Sequence, residues 1–452
     1  MRWRRQPGPP LSPKLPLGLI PMARILERGE RKDRRRRLAG TLAGHDRAAA
    51  GARAERRTSA TRRGLVVAPQ PFFTPRGTPL SVYYRTLVAA EQGVIIDLLT
   101  YGDGEDVDIP GMRIRRIPHF PFLGPVRVGP SHAKLFLDLW LILWTIGLLL
   151  RRRYDFVHAH EEAVFWCRYL KPLFRFKLAY DMHSSLPEQL KNFQFTNSKW
   201  LIRIFQMLEK SALKGSDAVI TVCSDLEGRA LAHGVRRDRL FLIENSIFES
   251  VCLGNGGREL TEQAPEYMAP APCSPSVVYA GNFEPYQGVD LLLHAFTRVH
   301  RERPNVHLLL VGGTPEQVGA MRALAKGLGI AGVAWFTGRV SQACARGYVE
   351  NATVLVSPRV EGTNTPLKIY ELLASGKPLV ATRIWSHTQV LNDEVCILVE
   401  PNASDLARGL IEALDDEGES ARRAENARRL YENAYSRKIY ENKMRRFLEV
   451  FR

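Results

Sequence analysis

From Gly64 onward this 452-residue chain, without an evident internal repeat, alternates short apolar runs ending in polar or glycine-bearing tips with longer stretches at helical spacing. The apolar runs are Leu65–Ala68, Ile95–Leu99, Phe156–His160, Leu178–Met182 and Asp217–Val222, then Val277–Ala280, Leu308–Val311, Val333–Phe336, Val354–Val356 and Pro378–Thr382. Short runs bounded by turn residues read as strands. Strands alternating with helices imply a parallel sheet, because each parallel neighbour needs a crossover. Between the two sets lies a stretch with Gly254-Asn255-Gly256-Gly257 and Pro265, Pro270, Pro272 and Pro275, a linker by composition. The predicted class is α/β in two halves, residues 64–250 and 277–430, joined by a linker at 251–276. Residues 431–452 are charged and helical, with Tyr440, Met444, Phe447, Leu448 and Phe451 as apolar contacts.

The net charge of +17 does not belong to these halves. Residues 1–63 hold 16 arginines and two lysines against five acids, a net +13. That segment has little apolar content and little periodicity, so a disordered extension is expected. Its basicity fits anionic lipid or nucleic acid, but Trp3 is its lone aromatic residue, which speaks against specific nucleic-acid binding. An idle extension, or a translation start at Met22, fits the same composition. Leu15–Leu26 is too short and too interrupted by proline for a signal peptide. Six scattered cysteines without C-x-x-C spacing then suit a reduced cytoplasmic setting. No His, Cys or carboxylate grouping shows metal-ligand spacing along the chain.

The most informative stretch is Ser357–Glu371, which follows the strand Val354–Val356. Thr365 suits a helix N-cap and Pro366 the first helical position, where its missing N–H costs nothing. Leu367 and Lys368 then place backbone N–H groups and an ammonium at the positive end of the helix, a ready anion site. Glu371, three residues on, shares the face of Lys368. An anion site with a carboxylate one turn deeper suits a ligand bearing a diphosphate at one end and ribose hydroxyls at the other.

Thr365-Pro366-Leu367-Lys368-Ile369-Tyr370-Glu371, with Ser375-Gly376-Lys377-Pro378-Leu379-Val380-Ala381-Thr382 after it, resembles the donor site of family 4 glycosyltransferases. The resemblance implies the GT-B fold, two Rossmann-like domains facing a cleft, and retaining transfer from a nucleotide-diphosphate sugar with no further cofactor. It implies a donor site at Arg359, Thr363, Thr365, Pro366, Leu367, Lys368 and Glu371, with the loop Gly281–Gly288 contributing Gly281, Asn282 and Gln287. Two departures stand out. Many members carry a Glu, seven intervening residues and a second Glu; here the second is Glu371, but Thr363 occupies the first place, with Glu361 two residues upstream as a candidate catalytic replacement. Many also carry Arg or Lys where this chain has Asn282 and Gln287, and amides donate hydrogen bonds less strongly than cations. A binding protein of low activity with a regulatory or scaffolding role is the alternative these departures allow.

In the first half, Arg76-Gly77-Thr78 lies in the loop before a helix containing Leu80, Val82, Tyr83, Leu87 and Ala90. The resemblance makes those three residues candidates for the acceptor, a glycan or a lipid, while a plain structural turn explains them equally. His160 and His183 each end a strand, where open α/β sheets bind ligands. The resemblance places a catalytic His at His183, beside Asp181. Leu135–Leu150 is apolar except for Asp138 and Thr145, and Arg151-Arg152-Arg153 follows. Its length falls short of the ~30 Å bilayer core, so a core helix packed on the sheet is expected. A helix resting at the inner face of a membrane is the other reading.

Overall fold

The computed structural model describes residues 62–74, 77–124, 126, 131–185, 198–245, 248, 251 and 275–452. The basic extension up to Thr61, Arg76 and most of the linker lie outside these. The first half runs β1 (Arg63–Ala68), α1 (Gly77–Glu91), β2 (Ile95–Thr100), β3 (Met112–Arg116), α2 (His132–Arg151), β4 (Phe156–His160), α3 (Ala163–Phe174), β5 (Lys177–Met182), α4 (Lys199–Gly215), β6 (Ala218–Thr221), α5 (Ser224–Ala232) and β7 (Leu240–Leu242). The second runs β8 (Ser276–Ala280), α6 (Val289–Glu302), β9 (His307–Val311), α7 (Pro315–Gly327), β10 (Ala334–Gly338), α8 (Gln342–Glu350), β11 (Val354–Ser357), α9 (Lys368–Ala374), β12 (Leu379–Thr382), α10 (Trp385–Thr388), β13 (Ile397–Val399) and α11 (Ala403–Asp415). Two further helices, α12 (Glu417–Ala434) and α13 (Arg437–Glu449), close the chain.

The strand orders are β3-β2-β1-β4-β5-β6-β7 and β10-β9-β8-β11-β12-β13, and the paired strands run parallel throughout. In both sheets the order reverses beside the first strand, at β1/β4 and at β8/β11. Loops there diverge to opposite faces and leave a crevice at the carboxyl ends of the strands. The Val and Leu runs read from the sequence are these central strands, buried on both faces. Strands β3, β7 and β13 are not among the runs predicted above. β3 is Met-Arg-Ile-Arg-Arg on the sheet edge with exposed or half-buried side chains, and β7 and β13 are three residues each.

One face of the first sheet packs on α2, α3, α4 and α5; the other packs on α1 and α13. Helix α13 thus lies against the first half although it follows the second in sequence. Its Tyr440, Met444, Phe447 and Leu448, with Phe451, join Val66, Ile96, Phe156 and Ala218 in one buried cluster. Arg437 pairs with Glu91 of α1 at 2.6 Å.

Helix α2 departs from the expected core helix. It buries one narrow stripe, Leu137, Leu141, Thr145 and Leu149, at i, i+4 spacing. Leu135, Leu139, Leu143 and Leu150 remain 58%, 56%, 51% and 73% exposed. Asp138, the polar residue that interrupted the apolar run, accepts a 2.6 Å hydrogen bond from the Tyr101 hydroxyl. Periodicity did not reveal the stripe because the outward positions are as apolar as the inward ones.

Candidate active site

Strand β11 ends at Ser357, and the chain crosses the top of the second sheet before entering α9. The helix opens at Lys368, and Leu367 already has helical dihedrals (φ −51°, ψ −39°). Thr365 therefore does not cap it, and Pro366 precedes rather than begins it. Ile369 and Tyr370 instead donate their N–H groups to the Pro366 and Leu367 carbonyls, tightening the entry into a turn.

Lys368 folds back over the loop after β8. Its Nζ donates to Gln287 Oε1 at 3.1 Å and lies 4.1 Å from the centre of the Tyr279 ring. Gly281 has φ +155°, and a Cβ there would stand 2.9 Å from the Tyr279 hydroxyl and 3.4 Å from Lys368 Nζ, so the backbone approaches the ammonium only because the residue is glycine. The Tyr279 hydroxyl donates to the Asn282 carbonyl at 2.6 Å, and Asn282 Oδ1 accepts from the Glu284 N–H at 3.4 Å. Asn282 thus shapes the loop while Gln287 holds the lysine.

Arg359 lies over the Tyr286 ring at 5.2 Å and donates through Nε to the Glu361 carbonyl at 2.6 Å. Neither Arg359 nor Lys368 has a carboxylate partner among the described residues. Burial lowers the Lys368 pKa to about 7, and the charge of Arg359 adds to the effect. Burial likewise raises Glu371, partly offset by Arg346 and by a hydrogen bond with Gln342, both on α8. Glu361 and Thr363 are exposed, and the Thr363 carbonyl accepts from Gln389 Nε2 at 2.6 Å.

His387 of α10 escaped the sequence reading. It is fully buried, with Nε2 3.1 Å from Ser357 Oγ and Nδ1 2.8 Å from the Thr382 carbonyl. Burial holds it neutral, its pKa pushed down to about 4. It ties the end of β11 to the end of β12, close enough to Lys368 and Arg359 for their charges to lower its pKa further.

Across the cleft, alternation along β4 and β5 puts His158, His160, Asp181 and His183 on one face, with His160 opposite Asp181 in register. His158 Nε2 lies 3.0 Å from Asp181 Oδ2, and His160 Nδ1 lies 3.1 Å from His183 Nε2. Arg85 of α1, 1% exposed, donates through Nε to the same Asp181 oxygen. Burial alone would raise Asp181, but Arg85 and the histidines hold it well below the usual carboxylate range. Burial lowers His183 to about 4 and pushes His160 well below its ordinary value.

The ligand atoms of His158, His160 and Asp181 lie within 4.8 Å of one another, a grouping that spacing along the chain did not disclose. The Arg85 guanidinium already supplies the cation beside Asp181, so these residues fit a metal poorly. Gly77 and Thr78 stand in the first turn of α1 rather than in a loop.

The halves meet through Asn364, whose Nδ2 donates to the His183 carbonyl at 2.7 Å. Asp225 at the start of α5 accepts from Trp385 Nε1 at 3.1 Å and donates its N–H to Gln389 Oε1 at 3.0 Å. The four-residue step from Asn364 to Lys368 thus joins the histidine row to the cation pair.

Two parallel-sheet α/β domains with matching strand orders and a shared cleft define the GT-B fold. Residues 80–246 match the glycosyl transferase 4-like domain, and residues 274–416 match the glycosyl transferases group 1. The chain belongs to the family 4 glycosyltransferases. A phosphatidyl-myo-inositol mannosyltransferase of Mycobacterium tuberculosis is 32% identical over 151 residues, which span 31% of this chain and 38% of that protein. Sucrose-phosphate synthase of Thermosynechococcus elongatus superposes with a TM-score of 0.67 at 20% identity, covering 86% of this chain and 98% of that one. HepE of Anabaena, solved in complex with UDP, gives 0.63 at 15% identity, covering 86% and 99%.

Proposed function

We propose that this glycosyltransferase moves a sugar from a nucleotide-diphosphate donor to a hydroxyl of a lipid-linked or glycan acceptor, with retention of configuration. The observation that carries this reading is the pair Arg359 and Lys368, two partly enclosed cations without a carboxylate among the described residues. Two such charges at the carboxyl edge of a sheet call for a polyanion, and a diphosphate supplies one. The complex of the related fold with UDP supports the same ligand class. Glu371, one turn below Lys368, holds the ribose hydroxyls.

In the reaction the bond from the sugar C1 to the diphosphate oxygen breaks and the bond from C1 to the acceptor oxygen forms. The acceptor proton passes to the departing phosphate. Arg359 and Lys368 stabilise the negative charge that gathers on the leaving group, a contribution larger in the transition state than in the bound donor. His183, on the opposite wall, orients the acceptor hydroxyl. Retention by substitution on one face requires the acceptor and the leaving phosphate to lie side by side, and the bond from Asn364 to the His183 carbonyl, which joins the two walls, supports that arrangement.

A lipid acceptor is supported by the apolar exposure of neighbouring helices on the first domain: Leu139 and Leu143 on α2, Leu173 on α3, and Trp200 and Met207 on α4. Arg151, Arg153, Arg175, Arg203 and Lys210 stand exposed on the same three helices or at their ends. The mannosyltransferase relative is named for a phosphatidyl-inositol substrate.

The test is a panel of sugar nucleotides, followed by slow hydrolysis and by binding. With the active donor, His183→Ala should lower kcat at least tenfold and leave nucleotide affinity within a few fold. Glu371→Ala should instead weaken nucleotide binding. The opposite pattern would assign donor and acceptor to the wrong domains.

A further inference from the structure

Arg85 is separated from Asp181 by nearly a hundred residues and joins four parts of the fold at one buried point. Beyond its bond to Asp181, its Nη1 donates to the Tyr440 hydroxyl at 3.2 Å and its Nη2 to the Ile243 carbonyl at 3.0 Å. Tyr440 belongs to α13, and Lys443 of the same helix pairs with Glu244, next to Ile243. The Phe447 ring lies 5.4 Å from that of His158, so α13 also forms the floor under the histidine row. The His158 and His160 rings stack at 4.5 Å, and those of His160 and His183 at 5.3 Å. At the far end of this stack His183 Nδ1 is buried without a partner among the described residues.

We infer that Arg85 and Tyr440 are positioning residues: α13 grips Arg85, Arg85 compensates Asp181, and His160 and His183 are thereby kept neutral with the His183 ring fixed. The inference rests on the reading of His183 as the acceptor-side residue. Its physical basis is that a buried carboxylate lacking a permanent cation draws a proton onto a neighbouring imidazole. A charged His183 would draw electron density from the acceptor oxygen it orients and make that oxygen a poorer nucleophile, while the hydroxyl proton itself goes to the departing phosphate. The charged and titratable groups around the row are Asp181, His158 and His160 on β5 and β4, Glu161 just after β4, Arg85 on α1, Tyr440 and Lys443 on α13, and Glu244 after β7. The nearest contact from the second domain is the neutral amide of Asn364. Arg85 is thus the cation bonded to the carboxylate, and α13 is what holds it there.

The experiment is a histidine NMR titration of the full-length protein, with His183 assigned by difference from His183→Gln. Arg85→Gln should raise the His183 midpoint by about one pH unit or more. Arg85→Gln combined with Asp181→Asn should return it towards the wild-type value, since cation and carboxylate leave together. A folded Arg85→Gln protein with an unmoved midpoint would overturn the inference, because a strut that only holds the fold has no reason to alter that titration. Should Arg85→Gln fail to fold, Tyr440→Phe decides, since it keeps the ring and removes one hydroxyl. It should shift the His160 and His183 resonances and lower kcat several-fold with donor KM within about twofold. Unshifted resonances and wild-type kcat would overturn the inference. A wild-type protein that transfers from no sugar nucleotide would sink the transferase reading instead, and the titrations would still decide the role of Arg85.

Discussion

Lys368 shows how one side chain can be legible in sequence while its chemistry is not. Its place before Glu371, after Pro366, follows from local spacing alone. That Gln287, rather than a second cation, holds its ammonium required the fold, because the two lie on different strand–helix units. Burial and Arg359 bring its pKa to about 7, so in the free protein the ammonium is lost as pH rises through neutrality. A bound diphosphate favours the charged form and raises that pKa, so binding must take up a proton above about pH 7. Nucleoside-diphosphate affinity should therefore fall as pH increases from 7 to 9, and Lys368→Ala should flatten the dependence. Calorimetric titration in two buffers of different ionisation enthalpy measures the proton directly; no uptake at pH 8 would refute the coupling. The histidine row was only half legible. His160, Asp181 and His183 were read as strand tips, and the signal that completes the set is His158-x-His160 beside Asp181-x-His183, two residues apart on adjacent strands. Arg85 and Asn364 carry no local signal, since their partners are distant in sequence, and His387, though bonded to nearby Thr382, is fixed also by Ser357 thirty residues back.

At the scale of elements, sequence works where one period dominates and fails where a segment is apolar all round or polar at an edge. The central strands are legible because both faces are buried and most positions are apolar, the buried polar exceptions on β4 and β5 being His158, His160 and Asp181 of the site. Helix α2 was read as a core helix for the same reason, yet its buried stripe covers only one side. Its two sides should respond differently. Leu141→Ala, in the stripe, removes fully buried volume and should cost about 2–5 kcal/mol in a denaturant titration. Leu139→Glu with Leu143→Glu, on the outward side, should change stability by less than about 1 kcal/mol. The outward pair should, however, reduce co-sedimentation with anionic liposomes. Unaltered liposome binding by that pair would remove the membrane from the account of the acceptor.

The whole molecule stores several buried neutral imidazoles, and that sets how it meets acid. His183 and His387 have folded pKa values of about 4 against an ordinary 6.5. Between those limits the unfolded chain holds protons that the folded chain refuses, so stability falls as pH drops from about 6.5 to 4, on the order of 3 kcal/mol for each group by pH 4. Asp181 acts in the next window: its depressed folded pKa gives stability that is present above the unfolded value near 4 and lost below it. The guanidinium midpoint should fall steadily from pH 6.5 to 4, and His387→Asn should make the slope shallower. Helix α13 carries a different consequence, one of timing. A ribosome releases the first domain's strands and helices long before Tyr440, Met444, Phe447 and Phe451 are synthesised. Until those residues emerge, the face of the sheet bearing the histidine row has α1 but not α13 as cover, and Arg85 lacks one of its acceptors. The nascent first domain must wait, with that face open to chaperones, while the entire second domain is translated and folds.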